Sequence, residues 1–279
     1  METLNNLISI NFDIFTVVLL VVFFTVENVF NTQFKFDKMG KHLLENIGFL
    51  VLITLLNLFW AGIIVSAVDW LDTHEIGLFH HLDLPIWLFL LISVMLFDIA
   101  NYWLHRLAHK VSFLWNFHRV HHSDSRMDAS SNIRVHPIEM VFYFGSSGVV
   151  MAALFGLDTT GLGLYVLIII PYVFIEHCNL KYPVWIDKTF GLIFTTPNFH
   201  RVNHDQDEFY TNSNYADIFI LWDRLFGTFK YKHPDEVKLG LKEFDDHKQS
   251  FWYLLKTPFI HIPKQSSNNF QNNLSHETH

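Results

Sequence analysis

Long apolar stretches without a basic residue constrain the fold of this chain more than any other feature. No lysine or arginine occurs in residues 1–34, 42–105 or 135–180. A helix that crosses a bilayer needs about 20 mostly apolar residues, with about 17 as a lower limit. Because the basic-free intervals hold several runs of about this size, they predict an all-α, multi-pass membrane bundle. The runs are 14–24, 47–68, 85–100, 140–157 and 161–175.

The five runs differ in how clearly they predict a span. The run at 47–68 is long enough by itself, whereas 14–24 and 85–100 need neighbouring residues to reach the required length. The runs at 140–157 and 161–175 are short, so they predict either a spanning hairpin or a shallow re-entrant pair. No basic region or small-residue cleavage site accompanies the first run, so we expect a retained span rather than a signal peptide.

The placement of lysine and arginine predicts the orientation. The basic residues are concentrated at 35–41, at 106–134 and from 181 onward. Basic residues near membrane spans are enriched on the cytoplasmic side. We therefore expect these three blocks to be cytoplasmic and to form a helical cap, with the N-terminus and loop 69–83 on the opposite side. The composition does not distinguish a bacterial inner membrane from the endoplasmic reticulum, and no basic patch with interleaved aromatic residues indicates nucleic-acid binding.

Nine histidines fall on the predicted cytoplasmic side, in or beside the basic blocks. They occur as HRLAH at 105–109, HRVHH at 118–122 and HRVNH at 200–204, with single histidines at 136 and 177. If these clusters are helical, residues three and four apart project from one face. Asp98 and Asn101 share the face of the first cluster, where they are candidates to orient a metal-bound imidazole.

The histidine spacing predicts a metal site, and other motifs exclude several kinds of site. The chain has no HExxH motif, no paired Glu-x-x-His motif and no pair of cysteines, since Cys178 is the only one. These absences argue against a zinc protease, a soluble di-iron carboxylate bundle and an iron–sulfur cluster. An almost all-imidazole site with enough ligands for two ions remains. Two irons that react with O2 fit it, and zinc is a possible occupant.

The ordered clusters resemble the fatty acid hydroxylase/sterol desaturase superfamily of membrane di-iron enzymes. The resemblance extends from about residue 98 to residue 229 and includes HRLAH, HRVHHS, RVHPIE at 134–139, TPNFHR at 196–201 and WDRLFGTF at 222–229. It is closest to bacterial sterol desaturase-like and alkylglycerol monooxygenase-like members. It implies an O2-dependent monooxygenase or desaturase that oxidises a C–H bond of a sterol, fatty acyl or ether lipid.

The resemblance also implies the site residues and partners. No catalytic residue is expected beyond the metal site and its close supports. Electrons are expected from a separate ferredoxin, cytochrome, flavoprotein or pterin. The oligomeric state is not predicted. The implied metal residues are His105, His109, His118, His121, His122, His136, His177, His200 and His204, with Asp98, Asn101, Asn179 and Asn203 as supporting groups or weak ligands.

The third cluster departs from the family pattern at Asn203, where HxxHH predicts a histidine. A working enzyme is the favoured interpretation because every other position of the pattern is intact. The alternative is a catalytically degenerate protein that binds metal or lipid. A metal transporter is less favoured, because its polar residues should lie in the middle of its spans rather than at their ends.

The sequence predicts one folded unit with four parts. These are a transmembrane region at 1–95, a catalytic domain at 96–232, a cap extension at 233–262 and a disordered tail at 263–279. Asp223 and Arg224 are expected to form an ion pair that fixes the cap.

Overall fold

The computed structural model describes residues 10–30, 32–35, 39–244 and 249–262, so the predicted tail at 263–279 lies outside the described residues. The described residues form helices and turns, and their only β-pairing consists of two isolated bridges. The predicted all-α class is confirmed. The α-helices are α1 Phe12–Val29, α2 Met39–Thr73, α3 Ile86–Lys110, α4 Ser112–His122, α5 Pro137–Phe155, α6 Thr159–His177, α7 Trp185–Lys188, α8 Pro197–Asn203, α9 Glu208–Thr211, α10 Leu221–Leu225 and α11 Phe251–Lys256. Short 3-10 turns connect several of them, at Leu78–His81, Ala129–Ile133, Phe190–Leu192, Pro234–Glu236, Lys242–Phe244 and Thr257–Phe259.

Five of these helices are long and apolar enough to cross a membrane: α1, α2, α3, α5 and α6. Each of them covers most or all of one apolar run of the sequence. The two short runs become helices of 19 residues each, so both reach spanning length. On α2, Leu58 and Phe59 expose 66% and 75% of their surface. Such a large uncovered apolar face fits contact with lipid rather than water.

The central spans pack against one another through apolar side chains. Phe97 of α3 packs with Tyr165 and Ile169 of α6 in a buried cluster. α2 lies against α5, and a Cβ atom added to Gly145 of α5 would stand 2.8 Å from the Trp60 ring of α2. A side chain at position 145 would therefore displace the Trp60 ring or separate the two helices.

The ends of the spans bring the histidine clusters to one end of the bundle. α3 and α6 end at this side and carry HRLAH and His177 in their last turns, while α5 begins there. α4 follows α3 after a single residue, and α8 belongs to the segment that follows α6. The helices and turns after residue 181 therefore form a cap over the same end. Its assignment to the cytoplasm remains a prediction from charge placement.

Candidate metal centre

Eight of the nine histidines form two groups of four, and within each group the potential ligand nitrogens lie within 4.8 Å of one another. Seven of the eight are buried, and His109 is partly buried. The first group contains His105, His109, His118 and His122. The second contains His121, His177, His200 and His204.

Helical spacing explains how the local sequence fills both groups. His105 and His109 stand one turn apart in the last turns of α3, and both belong to the first group. α4 contributes to both groups, because His118 and His122 project on one side while His121 projects to the other. α6 supplies His177, and α8 with its C-terminal cap residue supplies His200 and His204.

Hydrogen bonds fix the ring orientation of three of the histidines. Nδ1 of His118 donates to Oε1 of Glu139 at 2.5 Å. Nδ1 of His105 donates to the carbonyl of Tyr215 at 2.8 Å, and Nδ1 of His177 donates to the carbonyl of Val173 at 2.7 Å. Carboxylate and carbonyl oxygens accept hydrogen bonds, so Nδ1 carries the proton in each ring. In a neutral ring Nε2 then carries a free lone pair, which is the form that binds a metal.

The Nε2 atoms converge in a way that suits a bound cation. Nε2 of His118 and His122 are 2.9 Å apart, and Nε2 of His177 is 3.1 Å from that of both His121 and His200. Imidazole nitrogens bind transition metals at about 2.0–2.1 Å, so two ligands of one ion lie about 3 Å apart. The spacing of the nitrogens therefore fits one ion in each group.

The two groups adjoin each other. The ring of His122, from the first group, stacks on that of His204, from the second, with centroids 4.3 Å apart. Two ions bound in the groups would therefore be neighbours rather than independent sites. This donor set fits the two-metal site expected from the sequence.

Burial keeps the histidines of the HRVHH and HRVNH clusters in the form that binds metal. Burial lowers the pKa of His122 and His204 well below the ordinary value, and the other histidines around them lower it further. The same causes lower the pKa of His121 and His200. These rings are therefore neutral near pH 7, as ligation requires.

His136 lies outside both groups, although the sequence grouped it with the ligands. Its Nδ1 accepts a hydrogen bond from the backbone N–H of Ile138 at the start of α5, and its Nε2 faces the carbonyl of Leu255 at 3.3 Å. Both ring nitrogens are thus engaged away from the histidine groups. In this arrangement His136 caps α5 and attaches it to α11.

The predicted supporting residues act at different distances from the metal groups. The carboxylate of Asp98 accepts hydrogen bonds from the backbone N–H groups of Ile218 and Phe219 and from the Trp222 indole. It thereby holds the segment that carries the Tyr215 carbonyl. Asn101 bonds to the hydroxyl of Tyr165, and Asn179 bonds to the backbone of Phe34. Asn203 interacts with a ligand ring, that of His105.

Asp223 and Arg224 do not form the expected ion pair; their hydrogen bonds go to other groups. Asp223 accepts from the backbone N–H groups of Tyr215 and Ala216, and Arg224 donates to the carbonyl of Gly191. The prediction was wrong because adjacent residues in a short helix point in different directions.

Two carboxylates beside the rings are not among the residues that the sequence predicts for the site. Glu139, in the RVHPIE segment, bonds to His118. Glu176 is fully buried and lies 3.8 Å from Nδ1 of His200, on the residue before His177. An acidic residue within three positions of a single histidine, His136 or His177, was the available signal for both.

A buried ion network beside the HRVHH cluster at 118–122 was also not predicted from the sequence. Nδ1 of His42 lies 2.7 Å from Asp128, and its Nε2 lies 2.9 Å from Asp124. Arg134 bonds to Asn46 one turn after His42. Burial opposes the charge of Asp124, but Arg134 and His42 hold its pKa below the usual range. The network ties α2 to the segment after α4, and each contact between the two joins residues more than 80 positions apart.

The fold and the site together place the chain in one class of protein: apolar helical bundles with two adjacent four-histidine groups. Residues 90–228 match the fatty acid hydroxylase family model. The chain therefore belongs to the fatty acid hydroxylase superfamily, as its motifs predicted. The match includes every histidine of both groups.

Curated relatives support the same membership. Alkylglycerol monooxygenase of Danio rerio is 36% identical over 199 residues, which is 66% of this chain and 40% of the relative. The Homo sapiens protein of the same name is 30% identical over 174 residues, 59% of this chain and 35% of the relative. Ornithine lipid hydroxylase of Rhizobium tropici is 30% identical over 163 residues, 54% of this chain and 44% of the relative. The match thus spans less than half the length of each of these three, and no solved structure matches the chain.

Proposed function

We propose that this protein is a membrane-bound, O2-dependent di-iron oxidoreductase that hydroxylates or desaturates a C–H bond of a membrane lipid. The observation that carries the proposal is the pair of adjacent four-histidine groups at one end of five apolar helices. The names of the relatives, which include a lipid hydroxylase and several monooxygenases, support a lipid substrate.

The proposed ligands are the eight histidines of the two groups, with His136 as a support. An all-imidazole set suits iron, copper, nickel and zinc. Zinc has no redox chemistry, so we assign it as a substitute occupant only. When bound, the iron pair supplies the oxygen chemistry, and the protein supplies ligation, orientation and exclusion of water.

The surrounding residues prepare the site for this role. Glu139 and the Tyr215 carbonyl hold the rings of His118 and His105 with Nε2 directed into the first group. The buried ring of Tyr215 also lies 5.1 Å from that of His109. Together these contacts limit the movement of the ligands and restrict the access of water, which favours one productive geometry.

The reaction class implies further partners. Hydroxylation transfers one atom of O2 to carbon and reduces the other to water, and this consumes two electrons and two protons. The electrons therefore come from a separate donor, for which a ferredoxin, a cytochrome, a flavoprotein and a pterin are the candidates. A lipid chain is proposed to enter sideways from the bilayer, because the exposed faces of the spans are apolar.

The proposal includes the cytoplasmic placement of the metal centre and the domain boundaries. Both rest on the basic blocks that flank the apolar runs and on the extent of the histidine motifs. The catalytic domain is assigned to 96–232, preceded by the transmembrane region 1–95 and followed by the cap extension 233–262.

The test uses the full chain in nanodiscs, loaded with iron without air and then given a reductant, labelled O2 and a total lipid extract. We expect a lipid that gains a labelled oxygen atom or loses two hydrogen atoms, detected by mass spectrometry. His118→Ala and His204→Ala should abolish the product. His74→Ala should retain it, because His74 is an exposed residue just after α2. Iron-loaded protein that modifies no lipid would instead favour a metal- or lipid-binding role.

A further inference from the structure

α4 and α8 carry the HRVHH and HRVNH clusters, and these two clusters divide their side chains between the metal groups in opposite ways. α4 directs His118 and its i+4 partner His122 to the first group, and the i+3 residue His121 to the second. α8 directs His200 and its i+4 partner His204 to the second group. The i+3 residue of this pair is Asn203, so the same helical spacing directs it toward the first group.

The side chain of Asn203 is fixed in one orientation. Asn203 is fully buried, and its amide nitrogen donates to the carbonyls of Thr211 at 2.9 Å and Ser213 at 2.6 Å. A carboxamide has two N–H donors, so both are used. The oxygen is therefore turned away from these carbonyls and cannot exchange places with the nitrogen without losing two hydrogen bonds.

The amide oxygen of Asn203 has no hydrogen-bond partner among the described residues. The side chain lies beside the His105 ring, which belongs to the first group. A buried acceptor left without a partner is unfavourable, because it has lost its hydrogen bonds to water and gained none in the protein. A cation held by the first group would satisfy this oxygen.

We propose that Oδ1 of Asn203 is a ligand of the metal ion held by the first histidine group. This inference rests on the proposed two-metal site but not on the identity of the lipid. The two sites are then unequal, because one ion has an oxygen donor beside four imidazoles and the other has imidazoles alone. Carbonyl oxygen suits harder cations than imidazole does, so the two sites should differ in the metal ions that they prefer.

The fixed amide also gives the departure from the family pattern a physical meaning. A neutral histidine has only one ring N–H. In place of Asn203 it would leave at least one of the carbonyls of Thr211 and Ser213 unpaired. Asn203→His is therefore expected to damage the first site rather than to restore a lost ligand.

The first experiment measures metal binding to the full-length chain in nanodiscs, stripped of metal and titrated with Co(II) without air. Leucine is similar in size to asparagine but has no side-chain oxygen that could bind a metal. In Asn203→Leu one ion should therefore bind about tenfold or more weakly. The absorption bands of that ion should change, while the second ion binds as in the wild type. Two ions bound with wild-type affinity and spectrum would overturn the proposal.

Asn57 offers a control for the substitution itself. It lies in the middle of the spanning helix α2, and its amide nitrogen donates to Oδ1 of Asp13 on α1 at 3.2 Å. Asn57→Leu makes the same change from an amide to an apolar side chain. This variant should bind both Co(II) ions as the wild type does.

A second measurement needs no substitution, so it decides the question even if Asn203→Leu does not fold. Wild-type protein carrying a magnetic carbon isotope at its asparagine side-chain carbonyls is loaded with Co(II). A strong hyperfine coupling to one labelled carbon is expected, and its absence would exclude the ligand. Neither measurement involves turnover, so a protein that shows the coupling but oxidises no lipid would refute the proposed function alone.

Discussion

At the scale of single residues, the hydrogen bonds of the imidazole rings determine what the site can bind. A histidine at the right spacing is a ligand only if its free nitrogen faces the ion. Glu139 provides this for His118, and the Tyr215 carbonyl provides it for His105. His136 shows the opposite case, because its two ring nitrogens are engaged by backbone groups elsewhere.

Glu139 gives the clearest prediction at this scale. Glu139→Leu removes the acceptor for Nδ1 of His118, so the ring loses its orientation. We expect metal affinity of the first group to fall by about 10–100-fold, the usual effect of removing such a partner. Metal retained after dialysis against a graded series of chelators measures the change.

Glu139→Gln is the control, because its amide oxygen still accepts the hydrogen bond from His118. It should lose much less affinity than Glu139→Leu. Equal metal retention by the Leu variant and the wild type would show that Glu139 does not orient the ring.

At the scale of elements, short segments of the cap hold the ligand helices in register. The carboxylate of Asp223, in α10, accepts hydrogen bonds from the N–H groups of Tyr215 and Ala216 and from the Thr228 hydroxyl. Asp98 of α3 binds the same segment two residues further on, at Ile218. The Tyr215 carbonyl accepts the hydrogen bond of His105, so Asp223 and Asp98 act on this ligand through the segment that they hold.

Asp223→Ala tests this connection. Loss of three buried hydrogen bonds should free the segment that presents the Tyr215 carbonyl, and the first ion should bind about tenfold more weakly. Thermal unfolding should also begin at a lower temperature, since a hydrogen bond to a charged group contributes about 1.5–3 kcal/mol.

The comparison for this prediction is Asp235→Ala, which removes an exposed carboxylate from the Pro234–Glu236 turn. It should change neither the affinity for the first ion nor the unfolding temperature by a comparable amount. If both variants bind metal as the wild type does, α10 has no part in positioning His105.

At the scale of the whole molecule, buried acids make stability depend on pH. Burial raises the pKa of Asp217 to about 8, and the nearby carboxylates of Asp98 and Asp223 contribute. Asp217 also acts on Glu176 of α6 and Tyr143 of α5, so it faces several elements of the bundle. The folded protein therefore retains a proton on Asp217 that the unfolded chain releases above about pH 4.

The sign of the effect follows from this difference in bound protons. A carboxyl group whose pKa is raised on folding stabilises the fold at low pH, and this stabilisation is lost as the pH rises through about 4 to 8. The free energy of unfolding changes by at most about 1.4 kcal/mol per pH unit. The change is smaller here because Asp217 is only partly shielded from solvent.

Asp217→Asn should remove this part of the pH dependence. The variant is expected to unfold at a higher temperature than the wild type at pH 8 and at a similar temperature near pH 4, as measured by thermal unfolding in nanodiscs. Asp83→Asn, in the exposed loop before α3, should keep the wild-type slope. A wild-type slope in Asp217→Asn would show that this proton is not retained on folding.

Local patterns predicted much of the fold and part of the candidate site. The apolar runs correspond to α1, α2, α3, α5 and α6. They could be predicted because all backbone hydrogen bonds of a spanning helix form within the segment itself. The sequence predicted neither the network of His42 nor the acceptor at Tyr215. Their contacts join residues more than 80 positions apart, which no local periodicity reveals.

The sequence by itself determined the helical class, the five apolar helices and the histidine spacing that places residues three and four apart on one face. Tertiary structure decided how those faces meet: which histidines share a group, that His121 belongs with His177, and that His136 caps a helix instead. It also decided the state of Asn203, whose amide is fixed by the carbonyls of Thr211 and Ser213 in the segment that follows α8. The physical reason is that spacing sets only the direction of a side chain, whereas ligation requires several free lone pairs to converge on one point.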